Sequence, residues 1–194
     1  MNRDQALAIV HEHVANPALV RHMLAVEAAM HDYAQRLGED REEWGLAGLL
    51  HDFDWEIHPT ADQHPLEGAP ILRARGVPEN IVRCILSHGS LTTFLRESPM
   101  EHALFACDEV TGLITAVALV RPSRSLHDLT AASVRKKWKD SRFAAAVDRQ
   151  EIARGAEELG VELWEHVERV IGAMRSIAPE LGLDGSPGSN PGSS

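Results

Sequence analysis

A chain of 194 residues, 44% hydrophobic and 25% charged, has the size and composition of a single soluble domain with a sizeable core. Its formal net charge of −10 argues against a stable nucleic-acid complex, and no stretch approaches the roughly 18 uninterrupted apolar residues of a membrane helix. Two cysteines, Cys84 and Cys107, are too few for a disulfide framework, and the N-terminus lacks the basic-then-apolar pattern of a signal peptide, so a cytoplasmic location is expected.

Hydrophobic periodicity predicts helices throughout. Residues 3–15 read as a short amphipathic helix stopped by Asn16-Pro17. From 18 to 37, Leu19, Met23, Val26, Met30, Tyr33 and Leu37 recur at threes and fours, and Gly38 stands where a helix C-cap belongs. A third helix is expected over 41–52, and Pro65 and Pro78 open helices near 65–75 and 78–89. Residues 99–120 form an apolar helix ended by Arg121-Pro122, and further helices are expected near 126–142, 148–159 and 161–178. No alternating strand and no internal repeat is found, so the fold class is all-α. One domain is expected over 1–183, followed at 184–194 by DGSPGSNPGSS, a Gly/Ser/Pro tail too polar to form a core and a candidate fusion scar.

Charge is unevenly spread. Between 121 and 142 lie Arg121, Arg124, Arg135, Arg142 and all three lysines of the chain, Lys136, Lys137 and Lys139, against only Asp128 and Asp140. A solvated helix face is one reading; the other is a local anion site, because clustered Lys and Arg suit phosphate.

Several chemistries are excluded by their missing motifs. There is no phosphate-binding loop, no dinucleotide fingerprint and no Gly-x-Ser-x-Gly elbow. His11-Glu12-His13 lacks the second ligand of a zinc-protease helix, since position 15 is alanine. Cys84 and His88, one helical turn apart, could pair a thiolate with a base, but a small buried cysteine explains Cys84 as well.

Ionisable residues inside apolar helices carry the stronger signal. His22 lies between LVR and MLAV, His51-Asp52 ends GLAGLL, His64 precedes Pro65, His88 follows IVRCILS, and Asp108 follows HALFAC. A lone ionisable group in such places is costly. The order His, His-Asp, His, His, Asp, at spacings of 29, 13, 24 and 20 residues, resembles the HD superfamily of metal-dependent phosphohydrolases over roughly residues 18–120. The likeness extends to "HPLEGAPILRARG" and "VRCILSHGS". It implies a helical bundle around a metal centre, with His22, His51, Asp52 and Asp108 on one ion, His64 and His88 on a second, and Asp52 bridging both as the central catalytic carboxylate. Two divalent transition-metal ions (Fe, Mn, Co or Zn) suit this nitrogen-rich set better than Mg or Ca. A hydroxide shared by the two ions would attack phosphorus. The expected substrate is a small phosphoester, a nucleotide foremost, with Lys136, Lys137, Arg121 and Arg124 as its phosphate-binding residues.

The chain departs from that family in places. Many relatives carry Gly-Lys just after His-Asp, where this chain has Phe53-Asp54-Trp55. His88 is followed by Gly89 rather than a second histidine, and no Gly-Tyr-Pro triplet follows, which counts against cyclic dinucleotides. The same six ligands also resemble the helical di-iron oxygenases that act on inositol or phosphonates. A non-catalytic signalling module is a third reading, disfavoured because all six ligands are present. Phe53, Trp55 and Trp138 are candidates for a base pocket or for the core, and the histidines at 11, 13, 31, 58, 102, 127 and 166 carry no functional signal.

Overall fold

Local capping chemistry sets most of the helix boundaries. In the computed structural model, which describes residues 1–89 and 93–186, α1 (Arg3–His13) opens on a capping box between Asn2 and Gln5. α2 (Pro17–Leu37) starts at Asn16 and ends at Gly38, whose φ of 75° is the left-handed cap that glycine adopts freely. α3 (Arg41–Leu50) is capped by Asp40. α4 (Ala69–Ala74) and α5 (Glu79–His88) follow, and α6 (Pro99–Leu119) opens on a second capping box, Ser98 with Glu101. α7 (Ala131–Trp138), α8 (Arg149–Glu158), α9 (Leu163–Arg175) and the short α10 (Ala178–Leu181) complete the chain. Among the described residues there is no strand, only an isolated bridge between Ser125 and Asp184. The fold is all-α.

α6 is the axis of the bundle. Its length and hydropathy alone would suit a membrane span, yet 61% of that apolar window is buried within the protein. α2, α5, α7, α8 and α9 pack around it. Close approaches are made where side chains are missing. A Cβ on Gly48 of α3 would lie 2.9 Å from the backbone of Glu27 in α2, and one on Gly155 of α8 would lie 2.8 Å from Ala106 Cα in α6. Deep in the core, His166 Nε2 donates to the Ala106 carbonyl at 2.8 Å, so its Nδ1 accepts from the Tyr33 hydroxyl at 2.6 Å. His166 thus has a structural role, tying α9 to α6 and α2.

Several helices are shorter than expected: the first ends at His13, and the helix expected over 161–178 is broken into α9 and α10. The third stops at Leu50, and the chain continues to Ile57 in turns, with Trp55 N donating to Asp52 O and His58 N to Asp54 O. Residues 60–68 coil into turns before α4 begins. Before α7, the carbonyls of Leu126 and Leu129 are taken by the Arg175 guanidinium, each at 3.0 Å. After α7, Arg149 gathers the carbonyls of Phe143, Ala144 and Val147 into a non-helical loop. At the C-terminus, Asp184 bridges Ser125 and Ser186 N donates to Asp184; the rest of the expected tail, 187–194, lies outside the described residues.

Candidate metal centre

Six side chains from five segments converge at one end of the bundle. His22 comes from α2, His51 and Asp52 from the end of α3, His64 from the turns before α4, His88 from the last turn of α5, and Asp108 from the middle of α6. His51, His64 and His88 are buried; His22, Asp52 and Asp108 are partly open.

The distances divide them into two groups that share one carboxylate. His22 Nε2 and His51 Nε2 lie 3.2 Å apart, at 3.6 and 3.4 Å from Asp52 Oδ2 and at 3.0 and 3.5 Å from Asp108 Oδ1. His64 Nε2 and His88 Nε2 lie 3.1 Å apart, at 3.2 and 3.6 Å from the other oxygen, Asp52 Oδ1. Ligand atoms of His22, His51 and Asp108, and likewise of His51, Asp52 and His88, fall within 4.8 Å of one another and could hold a metal ion.

Hydrogen bonds on the far side of each ring fix what the near side offers. His51 Nδ1 donates to the Gly48 carbonyl at 2.8 Å, and His88 Nδ1 to the Ile85 carbonyl at 2.5 Å. His64 Nδ1 donates to Asp54 Oδ1 at 2.7 Å. The Thr111 hydroxyl gives its proton to Asp108 O at 2.8 Å and therefore accepts from His22 Nδ1 at 3.2 Å. When neutral, all four imidazoles present an Nε2 lone pair to the centre, facing two carboxylates. Lone pairs 3.1–3.2 Å apart repel unless positive charge sits among them. The donor set therefore fits divalent transition metals, with the outward N–H bonds that orient such ligands.

The electrostatics make the same demand. Burial pushes the His51 imidazole down, but Asp52 and Asp108 outweigh it and raise it well above its usual range. Burial likewise opposes protonation of His64, yet bonds to Asp52 and Asp54 carry it to about 9. Burial raises Asp52 and Asp108, and the surrounding imidazoles more than reverse this, holding both carboxyls low. Protons and metal ions compete for the same Nε2 atoms, so metal affinity falls as pH drops.

Two positioning residues escaped the sequence reading. Asp54, which the sequence marks only as part of a departure from the family's Gly-Lys, is fully buried and orients His64; a Cβ on Gly68 would collide with its second oxygen. Thr111 looks like an ordinary helix threonine until its two bonds are traced. We expect Asp54→Asn to keep the shape but weaken the charge-assisted bond to His64. Affinity for an ion at the His64–His88 end should fall about 10–100-fold, with the other end unaffected. Metal titration against a competing chelator measures this, and unchanged affinities would contradict it.

A cavity of about 330 Å³ opens onto the centre. Trp55, Phe105, Glu109, Val147 and Glu151 line it beside the ligands. Trp55 packs edge-on against His64 with ring centroids 5.0 Å apart, whereas Phe53 is buried in the core and Trp138 packs against Trp164. Glu109 accepts from Asp148 N, and burial, reinforced by Asp108, pushes its carboxyl up to about 7. Cys84 is fully buried, which pushes its thiol well up and leaves it inert, and His88 points its nitrogens elsewhere.

The expected phosphate-binding residues are not in this cavity. Arg121, Lys136 and Lys137 line a different cavity, past the C-terminal end of α6, and Arg124 lines neither. From Asp108 to Leu119 the helix rises about 16 Å. That rise separates the two ends, and among the described residues no lysine or arginine lines the metal-centre cavity.

Comparison with known proteins finds one family. Residues 19–106 match the family model described as HD domain. The matched segment is somewhat under half the chain and runs from the start of α2 into α6, taking in His22, His51, Asp52, His64 and His88; Asp108 lies just beyond it. No curated protein and no solved structure matches the chain. The segment around which the helices and the clustered histidines and aspartates are arranged, residues 19–106, is similar to an HD domain.

Proposed function

We propose that this protein is a metal-dependent hydrolase of a small phosphoester, a nucleotide being the leading class, working through a dinuclear centre. The HD domain points to metal-dependent hydrolases, and the two-sided carboxylate of Asp52 carries the dinuclear reading: one oxygen faces His22 and His51, the other His64 and His88. His22, His51, Asp52 and Asp108 would hold one ion, and His64, His88 and Asp52 the second. Such ions, when bound, supply Lewis acidity and acidify water toward neutral pH.

The protein's own residues supply the geometry. Thr111, Asp54 and the Gly48 and Ile85 carbonyls hold the four rings with Nε2 inward. Asp52 fixes the separation of the two sets. Two divalent ions against Asp52 and Asp108 leave the centre at roughly +2, enough to attract a phosphate without lysines. Trp55, Phe105 and Val147 give an organic moiety apolar walls.

A second reading is a di-iron oxygenase of a small polar or phosphonate substrate; its uncharged polar substrate is favoured by one observation, that Glu109 and Glu151, and no cation among the described residues, line the cavity. Elemental analysis of protein purified without an affinity tag, with assays on a panel of nucleotides and phosphomonoesters, separates the two. Manganese, cobalt or zinc with turnover of a phosphoester supports the hydrolase. Two irons per chain, oxygen consumption and no phosphate release would replace it with the oxygenase.

A further inference from the structure

The cationic segment that the metal centre does not use has a cavity of its own. Arg121, just beyond α6, and Ser133, Lys136 and Lys137 of α7 line a space of about 270 Å³, with Val117 and Val120 as an apolar wall. Arg121 Nη1 donates to Ser133 Oγ at 3.2 Å, and Nη2 pairs with Asp128 at 2.6 Å, which holds the guanidinium against the base of α7. Lys136 and Lys137 make no ion pair among the described residues; Lys137 Nζ lies 5.2 Å over the Phe143 ring. Elsewhere arginines are matched: Arg3 with Glu27, Arg73 with Glu79, Arg75 with Glu12, Arg96 with Glu158.

This is an unusual place for the charge to gather. The chain is strongly acidic, yet all its lysines lie within four positions, and two of them face one cavity with an arginine. Cationic groups lining one cavity without a matching carboxylate repel one another, and an anion bound in the cavity removes the repulsion. A hydroxyl at Ser133 adds a neutral donor suited to a phosphoryl oxygen.

We propose that Arg121, Ser133, Lys136 and Lys137 form a second binding site, for the phosphate group of a small molecule, separate from the metal centre and about a helix half-length away from it. The site does not depend on the hydrolase reading, because none of its residues touches the centre. Inorganic phosphate is the probe, followed by two-dimensional amide NMR on the wild type and the Lys136→Gln/Lys137→Gln variant. Phosphate should shift the amides of α7, Ala131–Trp138, and the double variant should bind at least about tenfold more weakly, roughly 1.4 kcal/mol. Basal turnover of the double variant should stay at the wild-type level. A nucleoside monophosphate titrated in parallel separates the sources: tighter binding than phosphate assigns an organic phosphate seated on Val117 and Val120, and equal binding assigns the phosphate group alone. Shifts confined to the metal centre, no shift in α7, or equal binding by the double variant would each overturn the proposal.

Discussion

Asp52→Ala will lose more activity than any single histidine substitution at the centre. Each histidine faces one group of ligands, whereas the two oxygens of Asp52 face both, at 3.2–3.6 Å from four imidazole nitrogens. Removing the carboxylate deletes a ligand from each end at once and leaves nothing to fix their separation. It also removes the anion that raises the buried His51 ring, weakening the field that attracts a cation. A fall in kcat of at least about a hundredfold, roughly 2.7 kcal/mol, is expected, with the helical circular dichroism retained. Activity above a tenth of wild type would contradict the bridging role.

Gly48→Val is expected to break the structural basis of the site. The Cβ position at Gly48 lies 2.9 Å from Glu27 Cα and N, which are backbone atoms and cannot rotate away. α2 and α3 would have to part, and these helices carry His22 and His51. The Gly48 carbonyl also orients His51. Overpacking of this kind costs about 3 kcal/mol or more for a branched side chain and about 1–3 kcal/mol for alanine. Urea unfolding of Gly48→Ala gives the graded loss where the valine variant does not accumulate. A loss under about 0.5 kcal/mol in both, the level of a neutral surface change, would show that the two helices do not need this contact.

Much of this architecture was legible in the sequence because its signals are local. Gly38 and the Arg121-Pro122 stop mark ends that the structure keeps within a residue or two, whereas Pro65 lies four residues before the start of α4. The six ionisable residues stood out because each interrupts an apolar run, and the structure brings all six together. What stayed hidden depends on contacts between distant segments. Thr111 acts through His22, 89 positions away, and Asp54 through a turn whose path no periodicity encodes. The carbonyls that shorten α7 are taken by Arg175, 46 and 49 residues downstream. The cationic window was visible as charge, but its distance from the centre was not. Its link to the substrate was inferred from residue type alone, and the length of α6 places it in another cavity.

The most direct test of the dinuclear centre is the metal content of wild type and His64→Ala, measured by inductively coupled plasma mass spectrometry on protein of known concentration. His64 belongs only to the end shared with His88, bonded to Asp54 on one side and facing Asp52 on the other. The account predicts about two ions per chain in the wild type and about one in His64→Ala, with the helical signal unchanged. One ion in the wild type, or the same stoichiometry in both proteins, would contradict it.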